Sequence, residues 1–253
     1  MLKKTPTPLF ILGFPRSGTT AMLKALQIIN RFKYPKREIE IEGHFTYFFS
    51  EILKRIKSGQ INKASVLDDK QYFELFKRKL SFFLNDYWEK ISDAHDDDFW
   101  IEKTPDLRQV QSIPEYVDLF ERAKYIFMYR DPYSCIASNL QTWSLDEKML
   151  CDIAQRWVDT MKEWRIQKQL IAGNYLEVYQ NRLRASPQNV INELGVFLSL
   201  SESEKNRIID YIKCNEINSS KNKKGYILSK EQHSKIFEIV SAEMKYWEGK
   251  ILY

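Results

Sequence analysis

The sequence predicts an α/β protein of three layers, α/β/α, with helices on both faces of a mostly parallel central sheet. Three observations carry this. Short apolar runs at residues 9–12, 99–101, 124–129 and 175–179 alternate with longer segments of helical periodicity. The first run is apolar at successive positions, as a strand covered on both faces requires. The polar residues that stand out for chemistry follow the ends of these runs, where ligands of such sheets bind. A length of 253 residues suits one domain, so residues 1–253 are read as a single unit with a helical insertion at about 44–95.

The elements follow in order. Leu9, Phe10, Ile11 and Leu12 form the central strand, and residues 19–29 carry Ala21, Met22, Ala25, Leu26 and Ile29 at helical spacing. Pro35 and the charged Lys36-Arg37-Glu38 break that pattern, and Ile39 and Ile41 then alternate with Glu40 and Glu42 as a weak strand or extended segment. Residues 44–56 are aromatic-rich and helical, and 59–66 form an exposed loop. Residues 68–91 are a long amphipathic helix, with Tyr72, Phe76, Leu80, Phe83, Tyr87 and Ile91 recurring at threes and fours. Asp96-Asp97-Asp98 has neither calcium-loop spacing nor nearby ligand histidines, so it is read as a solvated turn rather than a metal site. A strand at 99–101 follows, then a helix at 113–120 and a strand at 124–129. Helices are expected at 132–139 and 146–168, the second burying Leu150, Ile153, Ala154, Trp157, Val158, Met161 and Trp164. The fourth strand is 175–179, followed by helices at 186–198, 201–212 and 229–247, with a polar loop at 218–225.

Composition narrows the function. The chain is 43% apolar, with 15 Phe, 14 Tyr and 6 Trp to fill a core, and its 8 Gly and 8 Pro are too few for long disordered tracts. Cys135, Cys151 and Cys214 are an odd set without metal spacing, which argues against a disulfide framework and for a reduced, cytoplasmic setting. No apolar stretch of leader length follows Lys3-Lys4, and no run approaches membrane-spanning length. The net charge of +5 is mild: it suits an anionic ligand and equally a plain soluble protein. No basic stripe with interleaved aromatics points to nucleic acid.

The first strand runs into Gly13-Phe14-Pro15-Arg16-Ser17-Gly18-Thr19-Thr20. Glycines five apart between a strand and a helix start have the layout of a P-loop, in which backbone amides hold phosphate oxygens. In a nucleotide hydrolase a lysine follows the second glycine. Here Thr19 takes that place, and Arg16 inside the loop supplies a planar, always charged fork. The plain alternative is a strand-turn-helix junction capped by threonines. The string resembles the loop of sulfotransferases that use 3'-phosphoadenosine 5'-phosphosulfate (PAPS), which reads Pro-(Arg/Lys)-Ser-Gly-(Thr/Ser)-Thr and binds the 5'-phosphosulfate. Pro15, Arg16, Ser17, Gly18, Thr19 and Thr20 match it.

The resemblance extends along most of the chain. Arg130-Asp131-Pro132 ends the strand 124–129, and Ser138 lies eight residues after the arginine. Asp131 and Pro132 alone would make an ordinary helix cap. In the resembled family this arginine and serine hold the 3'-phosphate. Tyr179, followed by Gln180 and Asn181, is similar to a Tyr-Glu-Asp segment near the nucleoside, with neutral residues in place of the acidic pair. Lys223-Lys224-Gly225 resembles the Arg-Lys-Gly that closes over the 3'-phosphate. The implied activity is transfer of a sulfonate from PAPS to a hydroxyl of a glycan or small metabolite. It releases 3'-phosphoadenosine 5'-phosphate (PAP) and needs no metal.

That reaction needs a base for the acceptor proton and cations for the charge growing on the leaving phosphate. Glu42-Gly43-His44-Phe45 supplies the candidate base and is similar to a Glu-x-His-Phe motif of bacterial sulfotransferases. His44 is preferred for its unperturbed pKa, with Glu42 either orienting it or serving as the base itself. His95 and His233 read as surface residues. Lys103, in Glu102-Lys103-Thr104-Pro105, reaches the transferring group or pairs with a carboxylate. Cytosolic small-molecule sulfotransferases carry a histidine after this Lys-Thr pair; its absence here places the chain nearer the bacterial, carbohydrate and tyrosine-directed branches. The acceptor side is assigned to the insertion, with Phe45, Tyr47, Phe48 and Phe49, and to a loop at 141–143, although aromatics at helical spacing also bury themselves. Two other classes remain: a P-loop small-molecule kinase, which the missing lysine disfavours, and a nucleotide-binding protein without activity, which the Glu42 and His44 pair disfavours.

Overall fold

The computed structural model describes residues 5–35, 44–59, 69–215 and 226–251. Five strands form one all-parallel sheet: β1 (Thr7–Gly13), β2 (Phe32–Lys33), β3 (Phe99–Lys103), β4 (Lys124–Tyr129) and β5 (Tyr175–Tyr179), in the order β2-β3-β1-β4-β5. The central strand is β1, and Leu9 to Leu12 are at most 1% exposed, which is why that run is continuously apolar. Pairing sets Phe10 beside Glu102 on β3 and beside Tyr125 on β4, so every strand delivers its carboxyl end to one edge of the molecule.

Alternation along the strands builds two cores. Phe10, Leu12, Trp100, Tyr125 and Phe127 face one side, where Phe10 stacks between Tyr116 at 4.7 Å and Tyr125 at 5.4 Å. Trp88 stacks on Trp100 at 5.1 Å, and Phe127 on Trp164 at 4.3 Å. Leu9, Ile11, Ile101, Ile126 and Met128 face the other side against α1 (Thr19–Gln27) and the helices α9 (Pro187–Leu198) and α10 (Glu202–Cys214). The aromatic core lies under α2 (His44–Lys57), α3 (Asp69–Ser92), α4 (Leu107–Gln111), α5 (Ile113–Leu119), α6 (Pro132–Trp143), α7 (Leu150–Gln167) and α11 (Lys230–Ile251). The remaining helix, α8 (Gln180–Ala185), follows β5. This is the three-layer arrangement that the alternating pattern predicts.

Local chemistry fixes the helix ends. Asp131 accepts from the Ser134 amide at 2.8 Å with Pro132 opening α6, and Ser201 and Glu204 form a reciprocal capping box on α10. Glu204 also takes the Arg31 Nε at 2.9 Å, which ties α10 to the end of α1.

Several expectations change. The edge strand β2 was not anticipated; the Phe99 amide donates to Arg31 O at 2.7 Å, and the Arg31 guanidinium lies over the Phe32 and Phe99 rings. The extended segment expected at 39–41 lies outside the described residues. The helix expected at 132–139 continues to Trp143, so residues 141–143 form its last turn rather than a loop. The helix expected at 146–168 is a 3-10 turn, Glu147–Met149, followed by α7. Short α4, capped by Asp106, and short α8 carry too few residues for a periodic signal.

Candidate functional site

Because the sheet is parallel, Gly13, Lys103, Tyr129 and Tyr179 end their strands at the same edge, and α1, α6 and α8 start there. Between β1 and α1 the backbone takes positive φ three times: Gly13 at 150°, Arg16 at 70° and Gly18 at 101°. The Ser17 amide closes a turn onto Phe14 O at 3.1 Å. Arg16 in the left-handed region costs on the order of 1–3 kcal/mol, a strain that concentrates at functional sites. Gly18 is the N-cap of α1 and offers no side-chain cap, so the first-turn amides keep their capacity for an anion.

The fold brings the two predicted anion-binding segments together across more than a hundred residues. Arg16 Nε donates to Ser138 Oγ at 3.0 Å, and Arg130 Nη1 donates to Arg16 O at 3.4 Å. Asn139 Nδ2 donates to Pro15 O at 3.2 Å and to Cys135 O at 2.9 Å, which pins the loop to α6. Trp157 Nε1 donates to Arg130 O at 3.3 Å and steadies the strand exit from behind.

Buried polar atoms of this region test whether the residues suit a polyanion. Ser17 Oγ and Arg130 Nε, both donors, and Gln180 Oε1, an acceptor, are buried without hydrogen-bond partners. Buried polar groups are normally paired, so orphaned donors around a loop of amides fit a ligand rich in anionic oxygens. Thr19 is buried and Thr20 exposed at the helix start. Gln180 closes the far side: a Cβ on Gly18 would lie 2.8 Å from its Cγ, so the loop and α8 touch through a glycine.

Tyr179 is 8% exposed, its ring 5.2 Å from Tyr129, and its hydroxyl accepts from Asn181 Nδ2 at 3.0 Å. Burial, with Asp131 nearby, raises its pKa. Lys103 stands opposite Ile11 at the end of β3 and is 7% exposed. His44 opens α2, but its side chain and all of Glu42, Lys223, Lys224 and Gly225 lie outside the described residues. His95 is exposed beside Asp93 at 3.5 Å, and the exposed His233 stacks on Tyr133 at 4.8 Å, both consistent with surface roles.

The aromatics of α2 divide. Phe45 stacks on Tyr87 at 4.1 Å and Phe49 meets Phe83 at 5.5 Å, so both serve packing between α2 and α3. Tyr47 lies under the Arg108 guanidinium at 5.3 Å, and Phe48 is 58% exposed. Arg108 is itself held by Asp106 through bonds of 3.0 and 3.2 Å. Burial opposes ionisation of Asp106, and the Arg108 contacts overcome it, keeping the carboxyl below its ordinary value.

Three residues near the site escaped sequence reading as functional: Asn139, Gln180 and Glu102. Asn139 carried one signal, its place directly after Ser138. Glu102 carried another, a carboxyl inside an apolar strand. It is 1% exposed, and burial pushes its pKa from 4.5 up to about 8. The Thr46 hydroxyl lies close enough to moderate the rise, yet neither carboxyl oxygen has a partner in good hydrogen-bond geometry.

Comparison with known proteins completes the description. A sequence profile of the sulfotransferase family matches residues 8–204. No curated protein sequence matches the chain significantly. Among solved structures, sulfotransferase STF9 from Mycobacterium avium is similar with a TM-score of 0.57 at 14% identity, covering 97% of this chain and 77% of that one. The sulfotransferase domain from the curacin biosynthetic pathway gives 0.54 at 18% identity, with 95% and 98% covered. Mouse sulfotransferase SULT7A1, complexed with PAP, gives 0.53 at 12% identity, with 94% and 84% covered. At these identities the structural likeness establishes the fold.

Proposed function

The chain belongs to the sulfotransferase family, and from that premise we propose that it moves a sulfonate from PAPS to a hydroxyl of a small-molecule or carbohydrate acceptor. The observation that carries the donor assignment is the Arg16 to Ser138 contact at 3.0 Å, which joins the loop to the Arg130 segment in one anion-binding surface. Such a surface suits a nucleotide with phosphates at two ends, as in the PAP bound to the mouse neighbour.

Roles follow from position and charge. Pro15, Arg16, Ser17, Gly18, Thr19 and Thr20 hold the 5'-phosphosulfate through amides, hydroxyls and a guanidinium. Arg130 and Ser138 hold the 3'-phosphate, with Lys223, Lys224 and Gly225 covering it. Tyr179 lines the nucleoside side. PAPS supplies an activated sulfonate whose sulfur accepts the acceptor oxygen as its bond to the 5'-phosphate oxygen breaks. His44, or Glu42, takes the proton of the acceptor hydroxyl. Arg16 and Lys103 stabilise the charge that develops on the leaving phosphate. Residues 1–253 act as one domain, with the helices of about 44–95 on the acceptor side. No described helix is long and apolar enough to cross a membrane, and the three free cysteines suit the cytoplasmic setting that composition suggests.

The test supplies PAPS, in the presence of a metal chelator, with a panel of sugars, phenols and aliphatic alcohols. Mass spectrometry should find one sulfonate added to at least one class, with equimolar PAP. A parallel assay gives the same panel ATP and magnesium without chelator; phosphorylated products there, with no sulfonated compound in the PAPS assay, would overturn the proposal.

A further inference from the structure

A helix that packs through one apolar stripe has no need of a second on its far side. The helix α3 has both. Leu80, Leu84 and Trp88 are buried against the body of the protein. Leu75 and Phe82, two turns apart, lie on the opposite side, and Phe82 is 74% exposed. Phe83, 47% exposed, widens this strip toward α2: its ring is 5.5 Å from Phe49, which is 5.4 Å from the exposed Phe48. The ring pairs Phe45–Tyr87 and Phe49–Phe83 set the two helices antiparallel, so their outer sides make one ridge. Single exposed apolar residues need no explanation, but a contiguous set of exposed rings does.

Cations share the ridge. On α2, Ile52 and Arg55 follow Phe48 at spacings of four and three, which keeps all three on one side of the helix. On α3, Lys79 and Phe82 follow Leu75 at the same spacings, with Arg78 alongside. Arg55, Arg78 and Lys79 are exposed and form no ion pair among the described residues. The acids of these helices are accounted for differently. Glu74 takes Lys77 at 3.1 Å, Asp86 takes Lys90 at 2.7 Å, and Glu51 lies 3.8 Å from Lys54. Glu89 is partly buried. The exposed rings are therefore bordered by positive charge that the helices themselves do not neutralise.

That charge selects the occupant. A second copy of the chain would set Arg55, Arg78 and Lys79 against one another, because a two-fold contact uses the same patch twice and like charges face each other at a cost. An anionic bilayer surface meets both features. Its interface takes aromatic and leucine side chains at headgroup depth, and its charge attracts lysine and arginine. No described helix is long and apolar enough to cross a membrane, so such a contact lies in the plane of the surface.

We propose that the ridge of α2 and α3 docks on an anionic lipid surface, with Phe48, Phe82 and Phe83 entering the interface and Arg55, Arg78 and Lys79 meeting the headgroup charge. This goes beyond the sulfotransferase reading and does not rest on it. Where both hold, the docked helices are those assigned to the acceptor side.

Flotation of the full chain with lipid vesicles tests the proposal. One set of vesicles is phosphatidylcholine alone; the other has about a third of it replaced by phosphatidylserine, a strongly anionic surface. The wild type should float with the anionic vesicles and not with the neutral ones, and binding should weaken as salt rises from about 0.1 M to about 1 M. Phe82→Ser and Phe48→Ser should each lower the partition coefficient by about tenfold. Arg55→Gln, Arg78→Gln and Lys79→Gln should each lower it by about fivefold. Phe237→Ser, which alters an exposed phenylalanine on α11 away from the ridge, should leave it unchanged. The altered side chains project outward, so Tm should stay within about 2 °C of the wild type, which separates lost docking from lost folding.

A wild type that floats with neither vesicle, or equally well with both, overturns the proposal. So does anionic binding that persists undiminished in the Phe48→Ser, Phe82→Ser double variant, or that falls as far in Phe237→Ser. Sedimentation velocity covers the rival occupant: a dimer that Phe82→Ser dissociates, with no vesicle binding, assigns the ridge to a second copy and overturns the lipid assignment. None of these readouts uses a sulfonate donor or acceptor, so a failure here leaves the sulfotransferase reading standing, and the reverse.

Discussion

Replacing Arg130 by alanine is expected to weaken PAP binding by roughly 30- to 1000-fold, about 2–4 kcal/mol, while 5'-AMP binding changes by no more than about twofold. The reason is the division of labour at the strand ends. In the proposed reading the loop after β1 would serve the 5' end, with Arg16 tied to Ser138 at 3.0 Å. Arg130 follows β4, and its Nε is buried with no partner. On the proposed assignment, deleting the guanidinium removes the charge that would face the 3'-phosphate, which 5'-AMP lacks. Lysine should not restore the affinity, because a point charge cannot replace the planar fork. Calorimetry with both nucleotides decides the matter, and equal losses for the two would contradict a 3'-phosphate role.

Gly13→Ala is expected to have the largest effect on stability, about 3 kcal/mol or more, lowering Tm by roughly 6–12 °C. Two causes add. The backbone at Gly13 has φ 150°, outside what a side chain accepts, and a Cβ there would collide with the backbone carbonyl of Met128 on β4. That carbonyl is backbone and cannot move aside as a flexible side chain would. The strain falls on the β1–β4 pairing that sets the loop against Arg130, so nucleotide affinity should fall with Tm. Thermal unfolding followed by circular dichroism measures the first loss, and a Tm within about 2 °C of the wild type would contradict the packing described.

The fold was legible wherever burial leaves a long pattern. The strand 9–12 announces itself because both faces are covered, and α7 because one face of eighteen residues is apolar. The edge strand β2 was not, since two residues carry no period and its pairing depends on Arg31 reaching Phe99 and Glu204 from elsewhere. Short α4 hid behind Pro105, with only the Asp106 cap to mark it. In the candidate site, the loop and Arg130 stand out in the sequence because phosphate chemistry asks for particular residues at fixed spacing. Asn139 and Gln180 do not, since their contacts to Pro15 O and Gly18 arise from how α6 and α8 meet the loop. The buried hydroxyls of α2 were invisible for a similar reason: Thr46 and Ser50 read as ordinary helix residues until Trp88 and Ser112 meet them.

The central claim is that the joined loop and Arg130 surface takes a nucleotide phosphorylated at both ends and not a metal-bound triphosphate. Titration calorimetry of the full chain, with PAP in the presence of a metal chelator and with ATP plus magnesium, tests it most directly. The account predicts tight PAP binding without metal and markedly weaker binding of ATP with magnesium. Preferential binding of the magnesium complex of ATP, with PAP bound weakly or not at all, would contradict it.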